Sequence, residues 1–376
     1  MRVALDLRPL QSASRLRGIG TYLRGLLSGF LQQDRDLLLL TWRGRPLGLD
    51  LPGGCRFFHL PPPRPRVLGW LRDRLLLAGP FRELAREVDL VHFTSPFELD
   101  MGWPQARLGI PRVITVHDLV PVTHARLVLR GRHRLLAPVY RWQARQLGRA
   151  EGLVAVSQAT RQRLVEFLDP PPPIRVVPEA AEGFRVPDPA RIHQLRRRLD
   201  LPEDFLLFLG GASPNKNLEG LLVACQDGGL PPLVVAGAAN PEQLADLRIR
   251  YPDLPVRWLG PVPAEDLGAL YGAATAFVFP SLQEGFGLPV LEAMSCGTPV
   301  ACSNTSSIPE VAGQAALYFD PADPRQIRQA LRRLASEPDL RAMLRGLGLD
   351  QARQFSWQRT ARLTWQAYED FVGRSS

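Results

Sequence analysis

Residues 276–304 read AFVFPSLQEGFGLPVLEAMSCGTPVACSN. AFVFPS is a short, apolar, aromatic-rich run and predicts a buried strand. LPVLEAMSCG predicts a helix. Pro289 suits its first turn, where a missing N–H leaves nothing unpaired, and Gly297 closes its end. PVACSN predicts a second strand. Strand, helix and strand in succession imply a parallel sheet with helices on its faces. The loop before the helix, LQEGFG, holds two glycines around an aromatic, Phe286, that reads as exposed. Gly285 and Gly287 let a backbone approach a ligand without a Cβ in the way. The N–H groups of residues 285–288, backed by the helix dipole, form a site for an anion.

Two acids flank that site. Glu284 lies in the loop, and Glu292 lies about one turn into the helix. Helical side chains lean toward the N-terminus, so Glu292 reaches back beside the anion. A carboxylate would repel a phosphate it touched, but it would accept hydrogen bonds from hydroxyls on either side. A diphosphate in the turn, a ribose at one end and a hexose at the other satisfy this arrangement. The plainer alternative makes Glu284 a helix cap and Glu292 part of a solvated face.

The same alternation runs outward in both directions. RVALDL, LLLLTW, CRFFHL, DLVHFT, RVITVHDL, GLVAVS and IRVVPE predict strands in the first half, and FLLFLGG, PLVVAG, VRWLG, AFVFPS, PVACSN and ALYFDP in the second. Helical patterns such as RHRLLAPVYRWQARQLGRA, EDLGALYGAA and RQIRQALRRLAS intervene. A proline-rich stretch, DPPPPIRVVPEAAEGFRVPDPAR, separates the halves. The chain has 376 residues, enough for two domains. The expectation is an α/β protein of two doubly wound Rossmann-like domains facing a cleft. Residues 1–184 form the first domain, 185–355 the second, which holds the diphosphate turn, and 356–376 a last helix. Such sheets bind ligands at the carboxyl ends of their strands.

Composition narrows the partners. Residues 1–185 carry 28 basic and 16 acidic side chains, a balance of +12, whereas residues 186–376 carry 18 and 21, a balance of −3. A basic first half suits an anionic membrane surface or a lipid phosphate. It lacks a nucleic-acid-binding module and interleaved surface aromatics, so nucleic acid is not expected. Of the 46 basic residues, Lys216 is the one lysine. No CxxC pair or His/Cys cluster has zinc spacing, and Cys296 and Cys302 sit in apolar runs. With no apolar run long enough to cross a membrane and no cleavable leader pattern, a cytoplasmic protein is expected, with peripheral association at the inner membrane face.

These motifs together resemble the retaining family 4 glycosyltransferases. EGFGLPVLEA is similar to the family's E-x7-E motif, SPNKNLEGLL to its PRKN segment, GIGTY to its glycine loop and TVHDLVP to its histidine segment. VSQATRQRL, SSIPEVAG and ALYFDPADP follow in the usual order. The resemblance spans nearly the whole chain. It implies the two-domain GT-B fold, with FSWQRTARLTWQAYEDFV as the helix that crosses back to the N-domain. It also implies transfer of a hexose from a nucleotide-diphospho-sugar to a glycan, lipid-linked or small-molecule acceptor, with retention.

Roles carry over by position. Lys216 matches the phosphate-binding lysine, Glu292 the acid on the nucleotide ribose, and Glu284 the acid on the transferred sugar. His117 matches the histidine beside that sugar. Gly18 and Gly20 match the loop that approaches the diphosphate. His117, Lys216 and Glu284 are the expected catalytic residues. Gly18, Gly20, Lys216, Glu284, Gly285, Phe286, Gly287, Leu288 and Glu292 are the expected donor-binding set. His124 is a weaker candidate, and His59, His92, His133 and His193 have no constellation. The family's GR pair is Gly210-Gly211 here, and its RK is Asn215-Lys216, so two phosphate-binding cations are missing.

No metal or other cofactor is expected. The one Asp-x-Asp, Asp34-Arg35-Asp36, reads as a solvated turn. The donor is expected to be GDP-mannose before UDP-glucose, in polysaccharide biosynthesis. The alternatives are a sugar-nucleotide 2-epimerase on the same fold and a non-catalytic protein that binds nucleotide sugars or anionic surfaces. A nicotinamide oxidoreductase is excluded, because GIGTYLRG has the wrong glycine spacing for a dinucleotide fingerprint.

Overall fold

The computed structural model describes residues 1–16, 18–62, 78–97, 109–123, 136–181, 183–211, 213–237 and 241–373. All thirteen apolar runs are strands. Val3–Asp6 (β1), Leu37–Trp42 (β2), Arg56–Leu60 (β3), Leu90–Phe93 (β4), Arg112–Val116 (β5), Gly152–Ala155 (β6) and Ile174–Val176 (β7) form one sheet. Its order is β3-β2-β1-β4-β5-β6-β7. Leu206–Leu209 (β8), Leu233–Ala236 (β9), Val256–Gly260 (β10), Ala276–Phe279 (β11), Val300–Ser303 (β12) and Ala316–Phe319 (β13) form the other, in the order β10-β9-β8-β11-β12-β13. The strand pairs run parallel in both sheets.

Burial explains why the strands read as unbroken apolar runs. Every residue of β1, β2, β4, β5, β6, β9, β11 and β12 is buried, because helices cover both faces. The edge strands β3, β7, β10 and β13 are partly exposed. Leu38, Phe81, Phe93 and Ile114 belong to the core of the first sheet, and Phe208, Leu222, Val278 and Leu331 to that of the second. Cys225, Cys296 and Cys302 are buried free thiols. Among the described residues no helix is long and apolar enough to cross a membrane.

The chain divides into two compact units. The described residues up to Ala180, together with those from Ser356 onward, make one, and Ala181–Phe355 make the other. Strand order reverses between β1 and β4 in the first unit and between β8 and β11 in the second. Each reversal leaves a crevice at the carboxyl edge of the sheet, where this architecture places ligands.

The terminal helix, Trp357–Val372, packs on the first helix, Gly18–Leu31. Glycines set how closely they approach. A Cβ on Gly25 would lie 2.0 Å from the indole of Trp357, and one on Gly29 would lie 2.5 Å from the Trp357 carbonyl oxygen and 2.8 Å from Ala361 Cβ. Gly25 and Gly29 are four residues apart and share a helix face. Trp365 meets Phe30 edge to face at 5.8 Å, and the Tyr368 hydroxyl bonds His92 Nδ1 at 2.6 Å.

Gly25→Ala tests this fit. Alanine is the better helix former by about 1 kcal/mol, but overpacking a rigid indole costs about 1–3 kcal/mol. The variant is expected to unfold at lower urea than the parent. A midpoint equal to or above the parent's would show slack between the two helices.

Candidate functional site

Lys216 and Glu284 leave the second sheet on either side of its reversal. After β8, Gly210 packs so tightly against the next loop that a Cβ on Gly237 would lie 2.7 Å from its carbonyl oxygen. The chain then makes a 3₁₀ turn, Pro214–Lys216. Lys216 therefore does not start the helix Leu218–Cys225. Asn217, in the left-handed region at φ 54°, separates the two. The turn is stitched to the loop after β11: Leu282 N–H donates to the Asn215 carbonyl (2.8 Å), and Asn215 Nδ2 donates to the Gln283 carbonyl (3.4 Å). This brings Lys216 Nζ to 2.7 Å from Glu284 Oε1 and to 5.2 Å from the Phe279 ring centroid. The Ser281 hydroxyl also bonds Glu284 Oε1. The two charged side chains are 23% and 13% exposed, so water screens their attraction only in part.

The loop beside them is held from behind. The Ser306 hydroxyl accepts from Glu284 N–H (3.2 Å) and donates to the Glu284 carbonyl (2.7 Å). The Ser307 hydroxyl donates to the Phe286 carbonyl (2.7 Å). Gly287 caps the helix Leu288–Ser295 at φ 119°, a conformation that disfavours any side chain, and no side chain caps this end. Glu284 is thus not a cap. Phe286 is not exposed either. It is 6% exposed and packs edge to face on Phe355 at 5.9 Å. Leu288 is buried as well. These two residues can offer a ligand only their backbone.

Glu292 is not on a solvated face. It is partly buried and accepts a hydrogen bond from the Tyr271 hydroxyl at 2.8 Å. Burial pushes its carboxyl up to about 7, against the opposing pull of that hydrogen bond and of the Lys216 charge. Tyr271 is fully buried, wedged edge to face on Phe277 at 5.2 Å and Phe184 at 5.9 Å. Sequence reasoning missed Tyr271. Its one signal was a tyrosine on the inner face of EDLGALYGAA, whose hydroxyl needs a buried partner. The partner lies on another helix, and the pattern could not name it.

The first unit holds the other predicted residues. His117 directly follows β5. Its Nδ1 lies 2.7 Å from Glu179 Oε1 and its Nε2 lies 3.0 Å from the Thr94 carbonyl oxygen. Asp118 instead accepts from Val120 N–H at 2.9 Å. Tyr22 packs edge to face on the His117 ring at 4.7 Å, and its hydroxyl joins a buried chain through Thr115 and His92 to Tyr368. His92, dismissed from sequence, is pushed down to about 3, first by burial and then by the neighbouring His117. Gly18 opens the first helix rather than a loop. A Cβ on Gly20 would lie 2.2 Å from the Arg15 carbonyl oxygen, so the chain's own backbone already requires that glycine. His124 and His133 lie outside the described residues.

Among the described residues no group of three or more His, Cys, Asp or Glu could hold a metal. Asp34 turns the chain at φ 49°, and Asp36 pairs with Arg2 and Arg56. The structure thus gathers Lys216, Glu284, Glu292 and the start of the helix Leu288–Ser295 in the second unit, whereas Gly18, Gly20 and His117 each lie in the first.

A family profile described as glycosyl transferases group 1 matches residues 192–346, and one described as glycosyltransferase family 4 matches residues 16–181. The chain is 37% identical over 238 residues to O-antigen chain mannosyltransferase B of Escherichia coli, covering 59% of this chain and 61% of that protein. It is 31% identical over 302 residues to the serotype-specific mannosyltransferase WbdA of Escherichia coli, covering 74% of this chain and 36% of the relative. The chain therefore spans less than two thirds of either relative. A D-inositol 3-phosphate glycosyltransferase of Saccharomonospora viridis is 30% identical over 368 residues, covering 88% of this chain and 83% of the relative. Among solved structures, sucrose-phosphate synthase from Thermosynechococcus elongatus has a TM-score of 0.79 at 20% identity, covering all of both chains. An Anabaena protein solved with UDP and glucose has a TM-score of 0.73 at 17% identity, covering 98% of this chain and all of that one. These likenesses establish the fold as GT-B, with two Rossmann-like units.

The Glu292 environment has a consequence for stability. Its carboxyl rises from an ordinary 4.5 to about 7. The native state then binds more protons than the unfolded state between those values, so stability falls as pH rises through that window and stays lower above it. Glu292→Gln removes this contribution. The variant is expected to gain stability over the parent at pH 8, on the order of 1–3 kcal/mol, and to lose most of that advantage near pH 4.5. Guanidinium unfolding at the two pH values checks this, and an equal offset at both would contradict it.

Proposed function

The chain belongs to the group 1, family 4 glycosyltransferases, and from that premise we propose that it moves a hexose from a nucleotide-diphospho-sugar to a glycan or lipid-linked acceptor, with retention of configuration. The observation that carries this reading is the Lys216–Glu284 pair, 2.7 Å apart at the carboxyl edge of β8 and β11, beside a helix start that no side chain caps. Mannose is favoured because two of the curated relatives are mannosyltransferases. GDP-mannose is therefore the first donor to test, with UDP-glucose as its comparison.

The ion pair suggests how the donor enters. The diphosphate replaces Glu284 as the partner of Lys216, and the freed carboxylate turns to hydroxyls of the transferred sugar. Glu292, ionised above about pH 7, accepts from the ribose. As the bond from the sugar's anomeric carbon to the phosphate oxygen breaks, negative charge grows on the leaving diphosphate. Lys216 and the N–H groups at the start of the helix Leu288–Ser295 meet that charge most strongly at the transition state. The acceptor oxygen bonds the same face of the anomeric carbon, and its proton passes to the leaving phosphate. Helix start and ammonium take the place of a metal in this scheme. The basic first half, with its balance of +12, suits a lipid-linked acceptor at the inner face of a membrane.

Incubation with a panel of sugar nucleotides, with nucleotide release measured with and without acceptor, tests the proposal. Acceptor-dependent release supports transfer, and turnover that ignores acceptor points to an epimerase. Lys216→Ala is expected to lose about 10²–10³-fold in turnover, as for other deleted charge-stabilising donors, while keeping its fold. Lys216→Arg should lose about tenfold or more, because a planar fork does not replace a compact ammonium. Full activity of Lys216→Ala would remove the diphosphate role.

Liposome flotation at low salt addresses the membrane. More protein should float with anionic than with neutral lipid, and the difference should fade as salt shortens the screening length to about 8 Å. Equal recovery from both lipids would count against peripheral association.

A further inference from the structure

Glu179 lies past β7 in the run VVPEAA and belongs to none of the motifs that mark the site. Its side chain is 4% exposed, and its Oε1 lies 2.7 Å from His117 Nδ1. The other ring nitrogen, Nε2, lies 3.0 Å from the Thr94 carbonyl oxygen. A carbonyl oxygen only accepts, so Nε2 carries a hydrogen. Two states then remain. Either Nδ1 also carries a hydrogen and an imidazolium faces a carboxylate, or Nδ1 accepts from a protonated Glu179.

The surroundings favour the charged pair. Burial alone would hold the ring neutral. The hydrogen bond and charge of Glu179, the Thr94 carbonyl and the charge of Asp118 outweigh it, and the ring titrates above the ordinary histidine value. Two of the other groups facing it are neutral. His92 on β4 is neutral, pushed down to about 3. Burial raises the Tyr22 phenol on the first helix above its usual range, so it too is neutral. Arg163, on the helix Gln158–Phe167, interacts with Asp118. The ring is also pinned sterically, by Tyr22 against its edge at 4.7 Å. The Thr160 hydroxyl fixes the His117 carbonyl at 3.3 Å.

We propose that Glu179 is a positioning residue that keeps His117 doubly protonated and fixed in place, so that the ring serves the reaction as a stationary positive charge and not as a base. A charge at the carboxyl end of β5 lies on the sheet edge where this architecture places ligands. The effect on turnover rests on the transfer reaction proposed above, whereas the charge state of the ring stands apart from it.

Ring-nitrogen NMR of the full chain, carrying ¹⁵N-labelled histidine, separates the two. His117 is assigned by the signals lost in His117→Gln. At about pH 7.5, above the ordinary histidine value, both His117 nitrogens of the parent are expected to be protonated. In Glu179→Gln one nitrogen should lose its proton at that pH and regain it only below about pH 6. A parent ring with one bare nitrogen overturns the proposal without any variant, because it identifies the neutral pair. A Glu179→Gln ring that keeps both protons overturns it as well.

In the transfer assay, Glu179→Gln should lose about tenfold in kcat near pH 8 and recover most of it near pH 6, because the protonated fraction of a neutral-leaning ring falls about tenfold for each pH step above its midpoint. A loss equal at every pH would make Glu179 a merely structural residue and refute the positioning role. Absence of turnover by the parent with every donor would sink the transfer reaction, while the ring titration still decides the charge.

Discussion

A parallel sheet whose strand order reverses cannot cover its own carboxyl edge. On either side of the reversal the connections leave in opposite directions, and a crevice opens between them. In the second unit that crevice lies between β8 and β11. The turn after β8 carries Lys216, and the loop after β11 carries Glu284. Residues 68 positions apart in the chain therefore meet as an ion pair. In the first unit the reversal lies between β1 and β4, and His117 follows β5 on the same edge. Each of these candidate side chains thus owes its place to a sheet order and not to its neighbours in sequence.

The charges gathered there are held at some cost. Lys216 is matched by Glu284, and Glu292 lies behind it, raised to about 7 with a single neutral donor, Tyr271, as its hydrogen-bond partner. A half-buried carboxylate raised in this way works against folding at neutral pH. Under the transfer reaction proposed above, that imbalance has a use. An ammonium already facing a carboxylate can exchange it for phosphate, and a raised carboxylate gains from new donors.

Glycine serves two ends in this chain. Gly287 supplies a left-handed turn at the mouth of the site, and its backbone angle requires it. Gly25 and Gly29 supply absence of bulk, so that the terminal helix seats Trp357 against the first helix. Gly20 resembles a ligand-loop glycine by motif, yet its missing Cβ is filled by the carbonyl of Arg15. A glycine motif can therefore be real while the physical demand on one of its members comes from packing.

The sequence by itself determined the thirteen strands, their parallel pairing and the fold class. Strands buried on both faces need unbroken apolar runs, and such runs survive as a local signal. It also placed Glu284 and Glu292 around one helix start, because a strand, a glycine turn and a proline-led helix are read from one short stretch, whereas Lys216 joined them only through the family resemblance of SPNKNLEGLL. The tertiary structure alone decided what each side chain touches. Tyr271 beneath Glu292, Glu179 against His117 and His92 bonded to Tyr368 each join elements 21, 62 and 276 residues apart. No local period connects such pairs. It also reversed the exposure of Phe286, since an aromatic in a glycine loop reads as exposed until Phe355 closes over it. Local patterns encode which backbone forms, whereas hydrogen-bond partners and burial depend on which surfaces the folded backbone brings together.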